Sequence, residues 1–151
     1  MARTAVRVAA VFRDMGYPAR THIQSNYTCI LPPLTVYAGL GEQCRIGICL
    51  TKEYGLPYRL CAVTTDLPLA PDLHVNLGIE DFCNKCTKCA DACLPEAISR
   101  EGMIEINGFR VWKQDVYKCF RYWNSKGVSC TLCRRVCPWS KARIFSNSGL
   151  S

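Results

Sequence analysis

Two runs of cysteine between Phe82 and Trp139 constrain the fold more than any other feature of the chain. Cys83, Cys86, Cys89 and Cys93 read C-x2-C-x2-C-x3-C, and Cys130, Cys133 and Cys137 read C-x2-C-x3-C-P once Pro138 is included. Three thiols separated by two residues each can face one centre from a single tight loop. The fourth, a helical turn further on, points away toward a second centre.

This is the spacing of a bacterial-type ferredoxin module with two 4Fe-4S clusters. It assigns Cys83, Cys86 and Cys89 to the first cluster, with Cys137 crossing over from the second run. The second cluster takes Cys130, Cys133 and the crossing ligand Cys93, and is one thiolate short. A regular second run would begin at position 127, where Gly127 stands; Cys119 is the nearest spare thiol upstream and is assigned as the last ligand. Zinc ribbons use two C-x2-C pairs, and the first run here is not a zinc spacing. Disulfide scaffolds are cysteine-dense throughout, whereas eight of the twelve cysteines fall within 83–137.

The 151 residues suffice for one ordinary domain or two small ones, and 49% hydrophobic residues allow a real core. No apolar run approaches the ~18–20 residues needed to span a bilayer. The start carries neither a secretory signal nor a twin-arginine motif. Met1 directly at the head of an apolar helix suggests that a longer chain was cut there. A formal charge of +7 invites a nucleic-acid partner. Two clusters with their thiolates, about −2 each, lower the charge to about +3, and the basic residues form no block. A solvated surface, with no nucleic-acid partner, is the expectation.

Residues 2–15 predict an amphipathic helix with Val6, Val8, Ala9, Ala10, Phe12 and Met15 on its apolar face, closed by Gly16. Tyr17-Pro18 forces an extended exit, and 19–24 is a short strand or a loop. Pro32-Pro33 opens a second helix with Leu34, Val36, Tyr37 and Leu40 inward. The glycines of Ala38-Gly39-Leu40-Gly41-Glu42 suggest a phosphate loop only superficially, since no third glycine, preceding strand or Lys-Ser/Thr accompanies them. Ile46–Leu50 and Tyr58–Thr65 predict two buried strands about a Gly55-Leu56-Pro57 turn. Leu67–Gly78 reads as a linker; its Asp72-Leu73-His74 misses a cobalt-ligating D-x-H-x-x-G pattern because Gly78 comes one residue late. Glu96-Ala97-Ile98 completes a short helix after the first run. Asn107-Gly108 predicts a hairpin over Met103–Trp112. Asp115 caps a helix reaching Ser125 and ended by Gly127, carrying Cys119 with Tyr122 and Trp123 on its core side. The tail after Lys141 is polar and frays.

Outside the cysteines, further runs match a family. They are Tyr37-Ala38-Gly39-Leu40-Gly41-Glu42, Arg45-Ile46-Gly47, Lys52-Glu53-Tyr54-Gly55, Thr65-Asp66-Leu67-Pro68-Leu69, Lys118-Cys119-Phe120-Arg121-Tyr122-Trp123 and Val136-Cys137-Pro138-Trp139. With Phe82-Cys83 and its ladder they resemble the corrinoid-dependent reductive dehalogenases over nearly the whole chain. The resemblance implies an α+β fold: residues 1–78 as the C-terminal part of a nitroreductase-like cobalamin-binding core, 79–140 as the two-cluster ferredoxin-like domain, and 141–151 as a tail. Leu94 departs from the family's proline after the fourth cysteine, a turn-shaping position that ligates nothing. Cys44 and Cys49 replace other residues and read as packing thiols.

The family's activity is reductive cleavage of a carbon–halogen bond at a cobalamin cobalt, with electrons delivered through the clusters and a proton from a tyrosine upstream of the matched stretch. The resemblance therefore implies an oxidoreductase, inactive as this stretch alone. It implies a catalytic role for Arg59, the family's basic position, and corrinoid contacts from Asn26, Tyr37, Gly39 and Gly41. Expected partners are an organohalide, an electron donor of the respiratory chain and a membrane-anchor protein at the outer face of the cytoplasmic membrane. Epoxyqueuosine reductase, a tRNA-modifying enzyme of similar plan, is the rival. Its Trp-Ile/Leu-Gly-Lys run is not present, nor is its extension after the clusters. A free-standing ferredoxin-like carrier would explain the cysteines but leave residues 1–78 without a role.

Overall fold

The computed structural model describes residues 2–24, 26–127 and 129–140; the polar tail expected after Lys141 lies outside them. Helix α1 (Ala2–Asp14) packs on a two-stranded antiparallel sheet of β1 (Ala19–His22) and β4 (Ala62–Thr65), in register from Ala19↔Thr65 to His22↔Ala62. Small Ala5 and Ala9 are its buried residues and let the backbones approach closely. Of the expected apolar face, Ala10 and Phe12 are half-buried, and Val6, Val8 and Met15 are exposed. Buried His22 joins the sheet through Nε2 to Thr64 Oγ1 at 3.0 Å.

Helix α2 (Leu31–Tyr37) does begin at the Pro32-Pro33 pair. It buries Thr35, however, while Leu34, Tyr37 and Leu40 of the expected inner face are exposed. A hairpin follows that the apolar pattern misplaced. Its strands are β2 (Gly41–Gln43) and β3 (Cys49–Thr51), and Ile46 sits in the turn, where Gly47 holds φ +73°. That left-handed φ favours glycine, and an added Cβ at Gly47 would also displace the Gln114 amide, 1.9 Å away. The expected strand over 58–65 shortens to β4.

The cysteine-rich half is built from α3 (Ile79–Lys85), α4 (Lys88–Asp91), the antiparallel hairpin β5 (Ile98–Ile106) and β6 (Phe109–Gln114), α5 (Val116–Lys126) and α6 (Leu132–Arg135). Asn107 and Gly108 turn the hairpin with φ of +51° and +79°, the paired positive values of a type I′ turn. Asp115 caps α5 by accepting from Lys118 N at 2.9 Å, and Gly127 ends it at φ +61°. The short helix expected to end at Ile98 is instead α4; Glu96 adopts φ +50°, and Ile98 already opens β5.

Residue 78 divides the chain but not its core. Cys44, Leu50 and Leu56 from before it pack with Ile79, Cys83 and Trp112 from after it in one buried cluster. Glu42 seals the join: its Oε2 accepts from the Leu77 and Ile79 amides at 2.5 and 3.1 Å, a carboxylate at the start of α3. Arg134 reaches back to the Leu56 carbonyl. Residues 41–56 are thus structurally part of the cysteine-rich unit.

Candidate metal centre

The thiols fall into two quartets, each brought together from both runs. In the first, burial raises the Cys89 thiol to about 12, and the neighbouring Cys83 and Cys137 add to the rise. Burial likewise raises Cys83, which also feels Cys137 and Cys86, and Cys137, which feels Cys86. Cys83 lies on α3 and Cys89 on α4, both buried, with Cys86 in the loop between and Cys137 arriving after α6. Main-chain hydrogen bonds from Arg45, Ala90 and Trp139 favour the thiolates of Cys83, Cys89 and Cys137 respectively.

Cys93, Cys119, Cys130 and Cys133 form the second quartet. They line one cavity of about 180 Å³ together with Ile46, Pro95, Tyr122 and Trp123. Burial raises Cys133, the Arg134 main chain opposes it, and Cys93, Cys130 and Cys119 add to the rise. Burial also raises Cys119, followed by the charges of Cys93 and Cys130. Cys93 accepts from the Ala97 amide at 3.2 Å. Tyr122 and Trp123, expected in the core, are half-buried or exposed and wall this cavity instead.

Such a donor set fits two multi-iron clusters. Around one zinc, with bonds of ~2.3 Å, thiolate sulfurs sit about 3.8 Å apart, and among the described residues no three metal-ligating side chains converge on a single ion. A cluster spreads its four ligands over four metals and needs wider quartets. Two further features await a negative group beside the first quartet. Arg45 is a fully buried cation, and the Trp112 indole nitrogen is buried without an acceptor among the described residues.

Of the residues assigned to the corrinoid, the fold brings Arg59 close to the turn bearing Asn26. Arg59 is exposed, outside any strand, and donates to Gln24 Oε1 at 2.8 Å, which places it beside the Ile23–Asn26 bridge. Asn26 is exposed and pairs its main chain with Ile23. Tyr37 stands edge-on to Phe109 at 5.5 Å and lines an open cleft of about 560 Å³ with Glu42, Asp72 and His74. Gly39 and Gly41 have packing reasons of their own. Added Cβ atoms would fall 2.3 Å from Leu73 O and 2.0 Å from Leu50 O, so close packing accounts for both glycines. Cys44 and Cys49 are both buried, and burial raises Cys49 to about 11.

Arg45, Trp112 and Glu42 were assigned no site role from the sequence, although Arg45 and Glu42 fall within the family-matching runs. A basic residue followed by glycine in an apolar run, Arg45-Ile46-Gly47, was the available signal for the first of them.

Residues 82–141 match the family model described as a 4Fe-4S dicluster domain, which defines the class. Over 158 aligned residues the chain is 36% identical to the tetrachloroethene reductive dehalogenase of Desulfitobacterium hafniense, covering 97% of this chain and 28% of that protein. It is 38% identical to the enzyme of the same name from Sulfurospirillum multivorans over 123 residues, 76% of this chain and 24% of that one. Among solved structures, the catabolic reductive dehalogenase NpRdhA superposes with a TM-score of 0.81 at 38% identity, over 91% of this chain and 21% of that chain. The epoxyqueuosine reductase of Streptococcus thermophilus superposes with a TM-score of 0.63 at 24% identity, which speaks to the fold alone. The chain is a reductive dehalogenase homologue carrying a 4Fe-4S dicluster domain, and it spans little more than a quarter of the curated relatives it matches.

Proposed function

We propose that the chain is the electron-delivering part of a corrinoid-dependent reductive dehalogenase that replaces a carbon–halogen bond with carbon–hydrogen. The observation that carries this is the coincidence of two thiol quartets with a similarity that also runs through residues before the cysteines, over 97% of the chain. Cys83, Cys86, Cys89 and Cys137 would hold the first cluster, and Cys93, Cys119, Cys130 and Cys133 the second. When bound, the clusters supply one-electron transfer to the corrinoid cobalt, where the reduction takes place. The chain's own part is to fix the thiols, bury Cys83 and Cys89 and join the first quartet to the preceding segment through the 41–56 hairpin.

Residues 1–78 would complete the C-terminal part of a nitroreductase-like core, with Arg59, Asn26 and Tyr37 as its contributions toward the corrinoid and substrate. Support for Arg59 is its adjacency, through Gln24, to the turn bearing Asn26. A charge there would favour the anion of a proton-donating tyrosine. Family resemblance likewise supports an organohalide substrate, a respiratory electron donor and a membrane-anchor partner at the outer face of the cytoplasmic membrane. Among the described residues no helix is itself long and apolar enough to cross a membrane.

The test is halide release from a panel of organohalides by the full-length protein, with reduced viologen as donor, with and without corrinoid. Corrinoid-dependent release supports the proposal. No release, with reduction of epoxyqueuosine in tRNA instead, transfers the chain to the rival activity.

A further inference from the structure

Arg45 is 1% exposed, yet the described residues place no carboxylate in ion-pair contact with it. All its guanidinium hydrogen bonds go to main-chain carbonyls. Nε donates to Cys83 O and Cys86 O at 3.2 and 3.1 Å, and Nη2 to Cys83 O at 2.5 Å. Nη1 donates to Ser99 O and Glu101 O at 2.8 and 2.6 Å. The guanidinium therefore ties the first cysteine loop to strand β5, and its carbon lies 4.3 Å from the centre of the Trp112 ring. Its own main chain is held in turn, with Gln114 Nε2 donating to Arg45 O at 3.0 Å.

Carbonyl dipoles satisfy the donors of an arginine but do not neutralise it, and an interior cation without a counter-charge is costly. Asp91 feels its field but is itself paired with Arg100 at 2.9 Å. A cluster with its four thiolates carries about −2, which makes it the missing counter-charge. Trp112 is independent support, because a cluster sulfur is the class of acceptor its buried N–H has not found among the described residues.

We propose that Arg45 is the positioning and charge-compensating residue of the first cluster: its fork braces the Cys83–Cys86 loop, and its charge favours the reduced cluster. This rests on the dicluster reading above. Cluster potential follows net charge, hydrogen bonds to sulfur and exposure, so removing a buried positive charge makes the added electron less welcome.

The experiment is a redox titration of the full-length protein followed by electron paramagnetic resonance, together with iron release to a chelator. Arg45→Met should lower the reduction equilibrium of the first cluster at least tenfold, or 59 mV for one electron, and leave the second unmoved. Arg45→Lys keeps the charge and loses the fork: the potential should stay within about twofold in that equilibrium, while iron leaves the first cluster several-fold faster. Trp112→Phe should shift the first cluster in the same direction as Arg45→Met but by less. Equal shifts in both clusters, or none in Arg45→Met, overturn the proposal. If Arg45→Met does not retain iron, the lysine variant decides, and a displaced potential or unaltered iron release overturns it. A wild-type protein with no cluster signal would instead overturn the dicluster reading itself.

Discussion

The two quartets arise from runs of nearly the same spacing and end in different surroundings. Around the first, Cys83 and Cys89 are buried, Arg45 cross-braces the loop, and Cys44, Leu50, Leu56 and Trp112 close over it from two separate stretches of chain. Around the second, all four thiols are half-buried, and one of them rides on α5, a helix with no buried residue. Cysteine spacing therefore sets which thiols meet; the rest of the chain sets how deep, how rigid and how charged the meeting place is. Since exposure and neighbouring charge tune cluster potentials, the difference separates the two clusters electronically as well as mechanically.

Cutting a buried thiol from the first quartet should have the largest effect. Cys83→Ala removes a thiolate and a member of the core at once, so about half the iron is lost and the fold loosens, because metal-binding free energy is folding free energy. Iron analysis and thermal unfolding measure both. Cys130→Ala should cost a similar share of iron with a smaller fall in Tm; equal falls would erase the contrast. Cys119→Ala is sharper still, because position 119 is irregular for a second run. The resonance of the second cluster should vanish while that of the first persists, and full iron content would remove Cys119 from the ligand set.

That irregular thiol shows how far the sequence could be read. Thiol spacing, the Asn107-Gly108 turn, the Asp115 cap and the Gly127 stop are local, each set by a few adjacent residues, and each is present in the fold. The apolar run at 46–50 misled because a tertiary contact, Gln114 over Gly47, makes part of it a turn. Arg45 stood out only as a basic residue in an apolar run, and its role was illegible because its acceptors lie 38 to 56 residues away. The inward faces expected of α1 and α2 were read from periodicity, yet Val6, Val8, Met15, Leu34 and Tyr37 are exposed.

Gly39 tests whether the segment before residue 78 holds the fold together or contacts a ligand. With φ at +67° and Leu73 O 2.3 Å from an added Cβ, Gly39→Ala must move the linker. Strain of this kind costs roughly 1–3 kcal/mol, which should appear as a lower denaturation midpoint in the corrinoid-free protein. If stability is unchanged and corrinoid affinity alone falls, the glycine serves the ligand and the packing account is wrong.

The smallest effect should come from the rim of the second quartet. Asp115 caps α5 one turn before Cys119 and also lines the second cavity. Asp115→Asn keeps an acceptor for the Lys118 amide, whereas Asp115→Ala leaves that amide without its side-chain partner and should cost about 1 kcal/mol. For a chain of this size such a loss lowers Tm by about 2–4 °C. Because α5 has no buried residue to hold it otherwise, fraying of its first turn should pass directly to Cys119. Asp115→Ala should therefore release iron from the second cluster faster while leaving the first untouched. If both clusters lose iron at the same rate, the helix is not the independent support of the outer quartet, and the two sites are one mechanical unit after all.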